Sequence, residues 1–164
     1  MKNGTYFTYD TVHGKITIVS DGEAITQIKH EGKLMPECEK KETVLIKQAF
    51  DELNEYFSGK RFDFDVPIRL HGTDFHRSVW EALMKIPYGE TRTYKQVAEI
   101  VGRPKASRAV GQANNRNPIW IIIPCHRVIG ASGKLTGYDG GVEMKEKLLE
   151  LERCICDARE KGNR

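Results

Sequence analysis

The N-terminal third of the chain alternates apolar and polar residues in short runs, TYFTYDT, GKITIVSDG and AITQIKHEG, separated by the turn signals VHG and SDG. A period of two predicts strands with one buried face, and the close spacing predicts a small antiparallel sheet. The period changes at Thr43. From Thr43 to Ser58 apolar residues fall at Val44, Ile46, Phe50, Leu53 and Phe57, which reads as a helical stripe, with Gly59 as its stop. The polar, proline-containing GKRFDFDVPIRLHG then reads as a connection to a second lobe.

That lobe opens with a helix expected over about Thr73 to Lys85, its apolar face made by Phe75, Val79, Trp80 and Leu83, and ended by Pro87 and Gly89 of IPYGET. TYKQVAEIVG follows, with Thr93 and Gln96 at capping-box spacing and Val97, Ile100 and Val101 as its inner face. Past a turn at Gly102 to Pro104, KASRAVGQANN predicts a second short helix, and the two make a helix-turn-helix candidate. After Asn117-Pro118 the run IWIII, closed by Pro124, fits a buried strand or extended segment. A glycine-rich loop, GASGKLTGYDGG, leads into a last helix, VEMKEKLLELERCICDAR. The expected fold class is α/β of the α+β kind. A sheet-and-helix N-terminal domain spans residues 1–70, and a mainly helical C-terminal domain with a helix-turn-helix spans 71–164.

Composition narrows the setting. With 164 residues, 39% of them hydrophobic, the chain can bury a core. No run approaches the roughly 18 apolar residues of a membrane span, and MKNGTYFTYD lacks the apolar stretch of a signal peptide, so a cytoplasmic location with no membrane partner is expected. Cys38, Cys125, Cys154 and Cys156 are too few and too unevenly placed for a disulfide scaffold, and read as reduced thiols. The net charge of +3 is unevenly spread. Residues 1–99 carry 14 Lys and Arg against 16 Asp and Glu, and 139–164 carry 6 against 7. Residues 100–138 hold Arg103, Lys105, Arg108, Arg116, Arg127 and Lys134 with no acid, which points to a polyanion, nucleic acid first.

Candidate chemistry centres on PCHRV. Cys125 taken alone reads as a small buried hydrophobe. The adjacent His126 and the basic surroundings favour a thiolate nucleophile. In an extended segment the two side chains point to opposite sides, so a water or a turned backbone would have to link them. A basic histidine needs an orienting carboxylate, and the last helix offers Glu152, lying on the stripe of Leu148, Leu149, Ile155 and Cys156. Glu152 reads either as a buried acid with a polar partner or as a boundary residue whose head reaches water. No second cluster has zinc spacing, so no metal is expected.

PCHRVIG, preceded by RAVGQANNRNP and followed by TGYDGG and the Lys- and Glu-rich last helix, resembles the DNA repair alkyltransferases that remove alkyl groups from O6 of guanine. The resemblance runs from about Thr73 to Glu152, and the N-terminal third shares only the layout. It implies irreversible, single-turnover transfer of an alkyl group from O6-alkylguanine, and also from O4-alkylthymine, in DNA to Cys125. It implies His126 as base through a water, Glu152 as its orienting carboxylate, and Asn117 as a brace for the cysteine turn. Tyr94 would hydrogen-bond the departing guanine and Lys145 would support the site electrostatically. Arg108 would fill the space of a nucleotide swung out of the duplex, with Tyr94, Ala106, Ser107, Gln112 and Arg116 as further contacts in the minor groove of double-stranded DNA. The acceptor would be the protein itself, so no cofactor is implied, and the protein would act as a monomer. Trp120 and Asp139 depart from the family pattern near the cysteine and in the loop over the pocket, where they bear on alkyl-group size. With Cys38 alone in the N-terminal lobe, the structural zinc of some relatives is not carried over. A damage-binding protein without alkyl transfer and a cysteine hydrolase are the rival readings.

Overall fold

The computed structural model describes residues 4–30, 37–135, 138 and 141–162. The chain divides into two units, Met1–His71 with Pro118–Ile122, and Gly72–Asn117 with Ile123–Arg164. The fold is the mixed α/β arrangement expected.

In the first unit, β1 (Thr5–Thr11), β2 (Gly14–Ser20), β3 (Ile25–His30) and β4 (Glu39–Lys40) form one sheet in the order β3-β2-β1-β4. β1 and β2 pair antiparallel from Thr5↔Ser20 to Thr11↔Gly14 around a tight turn, where Gly14 takes φ 99 as such a turn requires. β4 pairs with β1 in parallel over two residues. β2 is buried without alternation from Ile16 to Ser20. Thr17 sits among these apolar neighbours because its hydroxyl meets that of Thr8 at 2.8 Å. The stretch read as a connection also joins the sheet, since Ile25 bridges Ile68 in parallel.

Helix α1 (Val44–Phe57) starts at Thr43, whose hydroxyl accepts from the Ile46 amide at 3.2 Å. Its buried face is Ile46, Ala49, Leu53 and Tyr56. This corrects the expected stripe. Residues two apart on a helix lie about 200° apart, so Val44 cannot share a face with Ile46, and it is 89% exposed. Phe50 instead stacks on Tyr9 with ring centroids 3.7 Å apart. Glu52, buried on the same helix, accepts from the Asp65 and Val66 amides at 2.7 and 3.2 Å.

The IWIII run is not a strand. Ile119 makes an isolated parallel bridge to Ile28, after which Ile122 donates to Trp120 across a γ-turn at Ile121 with φ 72. A β-branched residue in that region stores about 1–3 kcal/mol, held here by burial to 2% exposure. The prolines at 118 and 124 offer no amide to a ladder, so isolated bridges stand here in place of a continuous strand. Trp120 packs in this unit against His30 and Phe57.

The second unit contains α2 (Asp74–Met84), β5 (Arg92–Thr93), α3 (Tyr94–Ile100), α4 (Ser107–Asn115), a 3-10 turn (Cys125–Arg127), β6 (Val128–Ile129) and α5 (Val142–Gly162). Val79, Trp80, Ala82 and Leu83 bury one side of α2, and the Trp80 indole donates to the Ala113 carbonyl of α4 at 2.9 Å. The expected capping box forms in full, with Gln96 N to Thr93 Oγ1 at 3.1 Å and Thr93 N to Gln96 Oε1 at 2.9 Å. Helices α3 and α4, joined by a turn in which Gly102 has φ 78, are the helix-turn-helix. The inner edge of α3 passes through Val97 and Ala98, which turns Ile100 outward to 58% exposure rather than inward as expected. Each large apolar side chain buried in this way contributes about 1.5–3 kcal/mol. Among the described residues no helix is long and apolar enough to cross a membrane.

Candidate active site

The cysteine is presented by two successive tight turns. Pro124, at φ −80 and ψ 64, forms an inverse γ-turn in which the Cys125 amide donates to the Ile123 carbonyl at 2.8 Å. The chain then coils into the 3-10 turn, where successive side chains diverge by about 120°. The extended segment expected here is therefore replaced by a turn, and its three side chains take three directions. Cys125 is 5% exposed, and its Sγ accepts from Asn117 Nδ2 at 3.1 Å. The same amide donates to the Ile123 carbonyl at 2.7 Å, so Asn117 ties the sulfur to the turn that presents it. Asn114, 2% exposed on α4, donates to the Cys125 carbonyl at 3.4 Å.

His126 and Arg127 both reach Glu152, which α5 aims inward with Lys145 and Leu148 at helical spacing. His126 Nε2 lies 2.6 Å from Glu152 Oε2. Arg127 forks onto the same carboxylate, Nε to Oε1 at 2.8 Å and Nη2 to Oε2 at 3.1 Å, and its Nη1 donates to the Ile86 carbonyl at 2.7 Å. The Gly89 amide donates to Oε1 at 3.0 Å. Glu152 is 1% exposed, which settles the choice between buried acid and boundary residue. Burial pushes its pKa up, but hydrogen bonds and charge from His126 and Arg127 outweigh that and hold the carboxyl at about 2. Burial lowers the His126 pKa, Arg127 and Lys145 add to this, and Glu152 opposes it. The ring is therefore neutral at physiological pH. With its hydrogen on Nε2 facing the carboxylate, the lone pair is on Nδ1.

Lys145 is fully buried, and burial lowers its pKa while the Cys125 sulfur works the other way. Its Nζ stands 5.9 Å from the centre of the Tyr94 ring. Tyr94 opens α3, and the pairs Arg92↔Val128 and Thr93↔Ile129 bind that helix start to the residues just after the 3-10 turn. A Cβ on Gly111 of α4 would lie 3.8 Å from the same ring, so α4 also packs close to Tyr94. Arg108, Gln112 and Arg116 are exposed on or just after α4, and Ala106 and Ser107 at its start are half-buried. Ala106 is the N-cap and offers no side-chain acceptor to the first amides of α4. Among the described residues no group of three or more His, Cys, Asp or Glu could hold a metal ion.

Two family models match the chain, the DNA binding domain of 6-O-methylguanine DNA methyltransferase over residues 74–154 and the ribonuclease-like domain of the same proteins over 5–70. The chain belongs to the O6-methylguanine-DNA methyltransferase family. Among its relatives, the methylated-DNA–protein-cysteine methyltransferase of Mycobacterium tuberculosis is 48% identical over 151 residues, covering 90% of this chain and 92% of the relative. That of Methanosarcina acetivorans is 48% identical over 151 residues, covering 90% and 97%. The crystal structure of Mycobacterium tuberculosis OGT in complex with DNA superposes with a TM-score of 0.86 at 48% identity, covering 92% of this chain and 94% of that one.

In this O6-methylguanine-DNA methyltransferase family member, Cys125, Asn117, His126, Glu152, Lys145 and Tyr94 all fall within the second unit. Hydrogen bonds link Cys125 to Asn117 and His126 to Glu152. Arg108, Gln112 and Arg116 stand apart from them on the surface of α4. Asp139 lies outside the described residues. Three participants escaped the sequence reading. Arg127 was counted with the basic stretch, yet it is 7% exposed and turned onto Glu152. From the sequence alone Gly89 is only a helix breaker and Asn114 only helix content. A buried acid that must find partners signalled that such donors exist, but sequence spacing could not name them.

Proposed function

We propose that the protein repairs DNA by direct reversal, transferring the alkyl group of O6-alkylguanine, and of O4-alkylthymine, irreversibly to its own Cys125. The two hydrogen-bonded pairs, Asn117 with Cys125 and His126 with Glu152, carry this reading. His126 Nδ1 takes the thiol proton, directly or through a water, while Glu152 retains the hydrogen bond to Nε2. The Asn117 amide and the buried Lys145 cation stabilise negative charge on sulfur until it attacks the alkyl carbon. The S–C bond forms as the O–C bond breaks, and the electron pair goes to the O6 oxygen. A hydrogen bond from Tyr94 to the base disperses the charge that builds there. The product thioether has no S–S or S–O bond to reduce, so each molecule acts once.

A sulfur 5% exposed cannot meet a base inside a stacked duplex, so the nucleotide must leave the helix. Arg108 takes its place in the duplex while Gln112 and Arg116 hold the minor groove, and the uncapped start of α4 at Ala106 and Ser107 receives a phosphate. The second unit, Gly72–Asn117 with Ile123–Arg164, then holds both chemistry and DNA contacts. The extents of the two family models support a boundary after residue 70. A cytoplasmic setting suits four cysteines that form no disulfide.

The test is to incubate the protein with duplex DNA containing O6-methylguanine and weigh the intact protein and its peptides. One methyl group on the Cys125 peptide, saturating at one per molecule and missing from Cys125→Ala, is the expected outcome. Continued turnover, or a methyl group elsewhere, refutes it.

A further inference from the structure

The carboxylate of Glu152 receives hydrogen bonds at both oxygens from three residues, His126, Arg127 and the Gly89 amide. A lone carboxylate 2.6 Å from a buried imidazole would favour the imidazolium, since an opposite charge at that distance stabilises the charged ring. Such a ring has lost the lone pair that a base needs. Here a guanidinium that is itself 7% exposed is forked side-on to the same two oxygens. It neutralises the carboxylate locally and fixes its plane, while Nη1 is anchored on the Ile86 carbonyl at 2.7 Å.

We propose that Arg127 is a positioning residue that acts through Glu152, holding the carboxylate in plane for His126 Nε2 and keeping the resting ring neutral. Every charged or titratable group packed around the ring bears on this balance. Glu152 alone pulls towards the imidazolium. Arg127 from the 3-10 turn and Lys145 from α5 push against it. Tyr88, its ring 5.5 Å from the Arg127 guanidinium, is pushed up to about 12 by burial and by Glu152 and contributes no charge at neutral pH. Cys156 of α5 contacts the Tyr88 carbonyl, and Cys125 is the proton donor itself. The net arrangement is one carboxylate shared by one permanent cation and one neutral ring. The ring accepts a proton only when the thiol supplies it, and the proton then rests on Nδ1 with the electron pair left on sulfur.

The inference rests on the alkyl-transfer reading for the fate of that proton, but the titration that tests it needs neither DNA nor transfer, so the two can fail separately. The ring nitrogens of His126 are followed by NMR through a pH titration of the full-length protein. In the wild type the ring stays neutral with hydrogen on Nε2 at pH 7 and below. Arg127→Gln removes the cation and moves the titration upward by about one pH unit or more. Arg127→Lys keeps the charge but cannot fork, so its titration stays near that of the wild type while alkyl transfer slows by about tenfold or more. An unmoved titration in folded Arg127→Gln overturns the proposal. Should that variant fail to fold, Arg127→Lys decides alone. A slowed transfer with an unmoved titration supports the proposal, and a wild-type rate or a strongly raised titration overturns it.

Discussion

Gly89 holds φ 83 and donates its amide to Glu152 Oε1 at 3.0 Å, while the Cys156 side chain fills the space where a Cβ would stand. A Cβ built at this position would stand 2.4 Å from the Cys156 sulfur. Gly89→Ala therefore combines an unfavourable backbone region with an overlap, and a destabilisation of about 1–3 kcal/mol is expected in denaturant melts. Adding Cys156→Ala should recover the part due to overlap and leave the part due to φ. If the single variant melts like the wild type, the Gly89 amide is not held as described. The same residue shows how a buried acid is served. Backbone amides and a guanidinium fork satisfy Glu152 from segments far from it in the chain.

Among the elements, α4 carries opposite duties on its two sides. Val110, Ala113 and Asn114 face inward, with Trp80 tied to the Ala113 carbonyl and Asn114 to the Cys125 carbonyl. Arg108 and Gln112 face outward. A change on the outer side should leave folding alone, since surface substitutions away from caps and ion pairs shift stability by about 0.5 kcal/mol or less. Arg108→Ala is expected to melt with the wild type, to slow repair in duplex DNA about tenfold or more, and to leave transfer from the free modified base nearly unchanged. Equal slowing on both substrates would remove Arg108 from any role in the duplex. The 3-10 turn is the second decisive element. Its divergence of about 120° per residue sends His126 and Arg127 to Glu152 and Cys125 to Asn117, a division that a strand with its period of two cannot make.

At the scale of the whole molecule, the buried charges make stability depend on pH in one direction. Glu152 is held at about 2 when folded, below its ordinary value of 4.5, so its contribution is complete above that ordinary value and is lost as pH falls towards 2. The amount is on the order of 3 kcal/mol. His126 is lowered when folded, so the unfolded chain takes up that proton first, and acidification below the ordinary histidine value of 6.5 also favours unfolding. Both effects have the same sign. The melting temperature should fall steadily from pH 7 to pH 3, and Glu152→Gln should be less stable at pH 7 but lose less on acidification. A melting temperature that rises on acidification would contradict the buried His126-Glu152-Arg127 cluster.

Periodicity and capping chemistry are local, and they sufficed to delimit β1 to β3, α1 to α4 and the Thr93 capping box, because neighbours in sequence decide those choices. The PCHRV segment likewise carried the resemblance to the family and set Cys125 beside His126. The same local reasoning sets Val44 and Ile100 inward, gives IWIII as a buried strand or extended segment and counts Arg127 with a basic stretch. The structure reverses each of these through contacts distant in the chain. Which face of a short helix is buried depends on what packs against it, and whether a charge is solvated depends on whether a partner from another element arrives. Residue types and spacings thus determined most of the elements and the candidate site residues. Only tertiary packing decided that Glu152, Arg127 and Gly89 would converge on one histidine, because a buried carboxylate takes its partners from wherever the fold delivers them.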